Sequence, residues 1–154
     1  MVAGLGPLAG CSTTAAGLQV GDCLRVGGAV DRPETREVAC DGSESNFKVV
    51  AIVPGAQAGA GCPSDVDSYF SQRGGITDAG TTVCLDIDWT VGRCMSVHPE
   101  RDTDTVQVEC SDASVPDRQR ATQILTGIAS VDQCASGQGY AYRERLFTVC
   151  VERL

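Results

Sequence analysis

The chain of 154 residues holds one histidine, His98, and one lysine, Lys48. A triad needs a base beside its nucleophile, and His98 precedes Pro99 in the turn-rich stretch "HPERD", where a solvated loop residue is the expectation. No CxxC spacing occurs, so neither a zinc cluster nor a thioredoxin-like redox motif is indicated. No apolar run approaches the roughly 18 residues that a spanning helix needs. Aromatic residues make up only 5% and glycine numbers 18, so small side chains must do much of the packing. Positive charge is scarce as well. The 12 basic residues are scattered against 20 acidic ones, for a net charge of -8, which removes nucleic acid from the expected partners.

What the chain has in quantity is cysteine: nine, an odd number. The first is Cys11, in "LAGC", and that pattern of leucine, two small residues and cysteine matches the end of a bacterial lipoprotein signal, where the thiol takes a diacylglyceryl thioether. Residues 1–10 then read as a residual signal segment and 11–18, small and polar, as a lipidated tether. The alternative for Cys11 is a spare thiol or an interchain bridge. The other eight cysteines belong to an internal repeat. "VGDCLRV" at 20–26 returns as "VGRCMSV" at 91–97, "EVAC" as "QVEC", and "TVCL" as "TVCV". Cys23, Cys40, Cys62 and Cys84 are followed in the same order by Cys94, Cys110, Cys134 and Cys150, with offsets of 71, 70, 72 and 66 residues. Two units result, 19–88 and 89–154.

Within each unit the expected order is β, β, β, helix, β. The stretch 104–110 alternates, with Val106, Val108 and Cys110 on one face, as a half-buried strand does. Folding that hairpin about "HPERD" sets Cys94 opposite Cys110, and the same operation in the first unit sets Cys23 opposite Cys40. "KVVAIV" at 48–53 is continuously apolar and β-branched, which predicts a strand covered on both faces; its counterpart is "ATQIL" at 121–125. "CPSDVDSYFSQRGG" carries helix punctuation: Pro63 in the first turn, Ser64, Asp65 and Asp67 at the positive start, a stripe of Val66, Tyr69 and Phe70, then Arg73 and Gly74. Its partner after Cys134 contains glycines and predicts a turn or a single ragged helical turn. The last strands put Val83, Leu85 and Ile87, and in the second unit Phe147, Val149 and Val151, opposite their cysteines, so both sheet faces are occupied. Bridges Cys62 to Cys84 and Cys134 to Cys150 would then tie helix to strand. Four cysteines allow three pairings per unit, and the local scheme is the preferred one. The fold class expected is therefore α+β: two tandem, disulfide-stapled repeats, each mainly antiparallel β with a short helix, packed together.

Candidate sites are few. The acidic pairs Asp65 with Asp67, Asp86 with Asp88, and Asp102 with Asp104 lack the glycine and distal glutamate of an EF-hand, and helix capping or solvated strand ends account for them. Trp89 lies at the unit junction, where packing is the default, and Tyr140 and Tyr142 share a strand face; together these three mark a possible ligand groove between the units. No metal site, cofactor motif or catalytic constellation is expected.

The stretches "VGDCLRVGG", "SESNFKVVAIV", "CPSDVDSYF", "TVCLDIDW" and "DQCASGQGYAYRERLFTVC" resemble the mycobacterial and actinobacterial lipoproteins of the LppU type, and the "VGDCL... VAC" opening is similar to the broader septum-formation-type envelope domain. The Pro-His-Asp step common in that domain after its second cysteine reads "DGSESN" here, so no role attached to it carries over. The resemblance implies an extracytoplasmic protein anchored to the cell membrane of a bacterial envelope by its lipid. The expected function is a non-catalytic binding or scaffolding module contacting an envelope protein or wall component. Two other readings stay open: a small-ligand carrier with a groove between the units, and a hydrolase using paired carboxylates, which requires two acids to converge in one cleft with raised pKa values.

Overall fold

The computed structural model describes residues 15–29, 32–57, 59–73, 79–98 and 105–154. Cys11, the signal segment, most of the tether, Asp102 and Asp104 lie outside the described residues. Ten strands follow in order: β1 (Cys23–Ala29), β2 (Arg32–Val38), β3 (Phe47–Pro54), β4 (Ser68–Gln72), β5 (Thr81–Ile87), β6 (Cys94–Ser96), β7 (Val106–Val108), β8 (Arg118–Thr126), β9 (Gly139–Tyr142) and β10 (Phe147–Arg153). They form two antiparallel sheets, ordered β2-β1-β3-β5-β4 and β7-β6-β8-β10-β9. The second order is the first with every strand advanced by five, so the repeat in the cysteines is a repeat of topology.

Registers carry the correspondence to single residues. Lys48 of β3 pairs with Cys23 and with Asp86, as Arg120 of β8 pairs with Cys94 and with Glu152. Both sheets even slip by one residue at the matching point, between Val49 and Ala51 in one and opposite Cys150 and Val151 in the other. A shared bulge keeps the same residues on the core side in each sheet.

The α+β expectation is overturned. Among the described residues there is no α-helix, only 3-10 turns at Ala15–Gly17 and Val131–Gln133, and the fold is all-β. The stretch read as a helix from Pro63 is a turn that runs into β4. Sequence punctuation favoured a helix, but so short a helix is marginal without packing, and strand pairing with β5 satisfies the backbone instead. The supposed stripe splits with a period of two: Phe70 is buried at 5% exposure and Tyr69 points out at 46%. The β3 run is also less covered than expected, since Val49 is buried but Ile52 and Val53 are half-buried.

Four disulfides tie the halves internally: Cys23–Cys40, Cys62–Cys84, Cys94–Cys110 and Cys134–Cys150, with Cα separations of 5.0, 5.6, 5.2 and 5.4 Å. The hairpin pairs are not directly opposed. Cys23 faces Val38 and Cys94 faces Val108, and the bridge reaches two residues further, to the turn after the strand. Such cross-linking places the folded chain in an oxidising, extracytoplasmic compartment. No helix among the described residues is long and apolar enough to cross a membrane.

One apolar core serves both sheets. Leu24, Val49, Val83 and Leu85 from the first and Met95, Ala121, Val149 and Val151 from the second belong to the same buried cluster. The register makes these four matched pairs, so the halves meet through equivalent faces. Asn46 adds a polar stitch: wholly buried, it exchanges two hydrogen bonds with the backbone of Val26 and donates a third, from Nδ2, to the Thr105 carbonyl of the second half at 2.8 Å.

Candidate functional site: the junction between the halves

Strand alternation puts Tyr140 and Tyr142 on the same side of β9. The turn after β9 ends at Leu146, whose φ of 54° is left-handed and costs a branched side chain conformational energy. That turn carries Arg145 into the first half. There its Nε donates to Asp65 Oδ1 at 2.8 Å, its Nη1 and Nη2 grip both oxygens of Asp86 at 2.5 and 2.9 Å, and Nη2 also reaches the Asp65 carbonyl. Asp65 Oδ2 in turn accepts the backbone N–H of Glu144 and Arg145, while Glu144 accepts from Ser64. The guanidinium lies over the stacked rings of Tyr142 and Phe147. Cys62–Cys84 anchors the acidic loop to β5, which is why Asp65 and Asp86 arrive together.

A third acid completes the cluster. Asp67 Oδ2 accepts the Ile87 backbone N–H at 2.8 Å and the Tyr142 hydroxyl at 2.7 Å. Burial pushes the Asp67 carboxyl up to about 6, with its two donors pulling the other way and the Asp86 charge adding to the rise. Burial also raises Asp86, opposed by Arg145, whereas for Asp65 the Arg145 hydrogen bonds and charge outweigh burial and the net shift is downward. Both tyrosine hydroxyls are raised, chiefly by burial.

Beside this cluster the halves leave a cleft of about 470 Å³, bordered by Phe47, Asp67 and Ile87 from the first half and by Gln119, Tyr140 and Arg153 from the second. His98, expected as a solvated loop residue, borders the same cleft, because the β6 strand leads directly onto its rim. A smaller pocket of about 290 Å³ lies against Trp89, Tyr142, Phe147 and Arg145. The three aromatics expected to line one groove are brought together differently. Tyr140 faces the larger cleft, Tyr142 and Trp89 face the smaller pocket, and the Trp89 and Tyr140 rings touch at 5.3 Å and 30° between planes. Trp89 Nε1 is buried and donates to no described residue.

Of the acidic pairs, Asp65 and Asp67 cap no helix. They reach across the junction, to Arg145 and the Tyr142 hydroxyl, and Asp88 accepts from Ser45 at 2.6 Å. The acids therefore converge, as a carboxylate hydrolase requires, but Asp65 and Asp86 converge on a cation. Among the described residues no group of three or more His, Cys, Asp or Glu is placed to hold a metal ion. Sequence reading missed Arg145, Gln119, Phe47, Ile87 and Arg153 as site residues. For Phe47, Ile87, Gln119 and Arg153 the only signal is positional, from aligning the two units strand by strand, and Arg145, in a turn, has none. Comparison with family models, with curated proteins and with solved structures found no match for this chain.

Proposed function

We propose that this chain is a binding module of a bacterial cell envelope, held at the membrane by a lipid on Cys11, with the cleft between its two halves as the ligand site. The observation that carries the reading is the cleft itself: a concavity of about 470 Å³ between cross-linked sheets, lined by both apolar and polar side chains, is within the size and character of small-molecule sites. Four covalent bridges and the Arg145 cluster hold its walls in place, and a preformed site loses less on binding than one that must be assembled. The LppU-type resemblance and the "LAGC" pattern point to the same location, and the acidic, lysine-poor surface is compatible with a soluble body standing off the membrane.

The paired-carboxylate reading is weaker. A hydrolase of that type needs a free acid and a free base facing one reactant, and both Asp86 oxygens are taken by Arg145. The test is native mass spectrometry of protein isolated from its own envelope. A small-molecule adduct is expected on the natural chain and not on Val97→Trp, which fills the cleft from its half-buried rim. An adduct retained by the filled variant would overturn the cleft as the site. Cys11→Ala is expected to move the protein from the membrane to the soluble fraction, and its retention on the membrane would remove the lipid anchor.

A further inference from the structure

The two walls of the cleft occupy the same place in the repeat and carry opposite chemistry. In the first sheet Phe47 of β3 stands opposite Ile87 of β5, and in the second Gln119 of β8 stands opposite Arg153 of β10. The strand on the other side confirms the match, since Phe47 pairs with Leu24 and Gln119 with Met95. All four border the cleft. One half thus offers an apolar pair and the other, at identical positions, a hydrogen-bonding and cationic pair.

Gln119 is 6% exposed. Its Oε1 accepts the Tyr140 hydroxyl at 2.8 Å, its Nε2 donates to no described residue, and the side chain borders the cleft. A largely buried amide left without an acceptor is costly unless water or a ligand supplies one. Arg153 has no ion-pair partner among the described residues, and it stands directly opposite Gln119 in the pairing of β10 with β8, which brings the two to the same end of the cleft. Arg118, also on the rim, is already committed to the carbonyls of Val115 and Cys110. The acids nearby are Asp117 and Asp67, and Asp67 gives one oxygen to Tyr142 and Ile87.

We infer that the cleft takes an amphipathic monocarboxylate, its apolar body against Phe47 and Ile87 and its carboxylate between the Gln119 amide and the Arg153 guanidinium. The inference rests on the cleft being the ligand site. A planar, two-oxygen acceptor matches a guanidinium fork and a neighbouring amide donor together. A neutral head group leaves Arg153 without a counter-charge, and a phosphate brings a second negative charge toward Asp67 and Asp117.

The experiment titrates the disulfide-intact chain at neutral pH with octanoate, octanol and inorganic phosphate in turn, following ¹H–¹⁵N spectra that include the Gln119 side-chain amide. Octanoate is expected to shift the Gln119 amide and Tyr140 saturably, with octanol at least tenfold weaker and phosphate without effect. Arg153→Leu and Gln119→Leu are expected to bring octanoate down to the octanol level; Arg153 is exposed, so its variant keeps the folded spectrum even if the buried change does not. Equal binding of octanol, equal binding of phosphate, or an undiminished response in Arg153→Leu overturns the carboxylate assignment and leaves the cleft as the site. Octanoate binding that survives Val97→Trp overturns both readings, and no response to octanoate overturns this one.

Discussion

Two halves with the same strand order, bridges and bulge treat one equivalent acid in opposite ways. Asp86 and Glu152 sit two residues after the last cysteine of their units, each facing a basic residue on the neighbouring strand, Lys48 or Arg120. Glu152 takes that partner and forms an ion pair with Arg120 within its own sheet. Asp86 turns away from exposed Lys48 and is held by Arg145 of the other half. The first half supplies acids, from Asp65, Asp67 and Asp86; the second supplies the cation and Tyr142. Duplication produced a frame twice, and divergence of a few side chains turned the two copies into complementary partners.

The sharpest way to break the comparison is to remove each cation. Arg145→Ala leaves Asp86 buried without its counter-charge and is expected to cost about 3–5 kcal/mol, measured by denaturant unfolding. Arg120→Ala, at a pair about 40% exposed, should cost less than about 1 kcal/mol. Similar costs for the two would mean that the junction cluster does not hold the halves together. Next in size are the bridges. Replacing Cys62 and Cys84, or Cys134 and Cys150, by alanine is expected to cost about 3 kcal/mol in either half, because the closed loops are of similar length. Unequal losses would show that the Arg145 cluster compensates on one side.

Asp67 sharpens the comparison through pH. Its carboxyl is raised in the fold to about 6, so the charged form destabilises. The penalty is present in full above pH 6 and is relieved as the pH falls toward the unfolded value of 3.8, by up to about 3 kcal/mol. Stability should therefore rise on mild acidification, then fall at lower pH as Asp65, whose pKa is depressed, loses its hold on Arg145. Asp67→Asn should flatten the rise between pH 6 and 4. A natural chain whose stability does not rise there would contradict a buried, ionised Asp67. The smallest expected effect is that of Arg153→Leu, within about 0.5 kcal/mol, as for an exposed side chain without an ion-pair partner among the described residues. Its consequence should appear in ligand binding alone.

Much of the frame was legible. The cysteine schedule, "VGDC" against "VGRC" and "TVCL" against "TVCV" mark a duplicated unit, because covalent links and the turns beside them tolerate little change in spacing. The fourth element reads as a helix because Pro63, Ser64 and Asp65 are good helix starters in isolation, and nothing local reveals that β5 offers Phe70 a place in a sheet. Asp65 and Asp67 look like helix-capping residues for the same reason. Their partner, Arg145, lies 80 residues away, with no pattern in the intervening sequence to announce it.

Taken alone, the order of residues determined that this is a twice-used, disulfide-tied body for an oxidising place, since spacing and count are properties of the chain itself. Only the tertiary structure decided that the copies close face to face through matched positions, that Arg145 enters the acidic loop, and that Phe47 and Ile87 meet Gln119 and Arg153 across one cleft. Those meetings depend on how two sheets dock. Docking is set by the sum of many weak apolar contacts distributed over the whole chain, which no short stretch encodes.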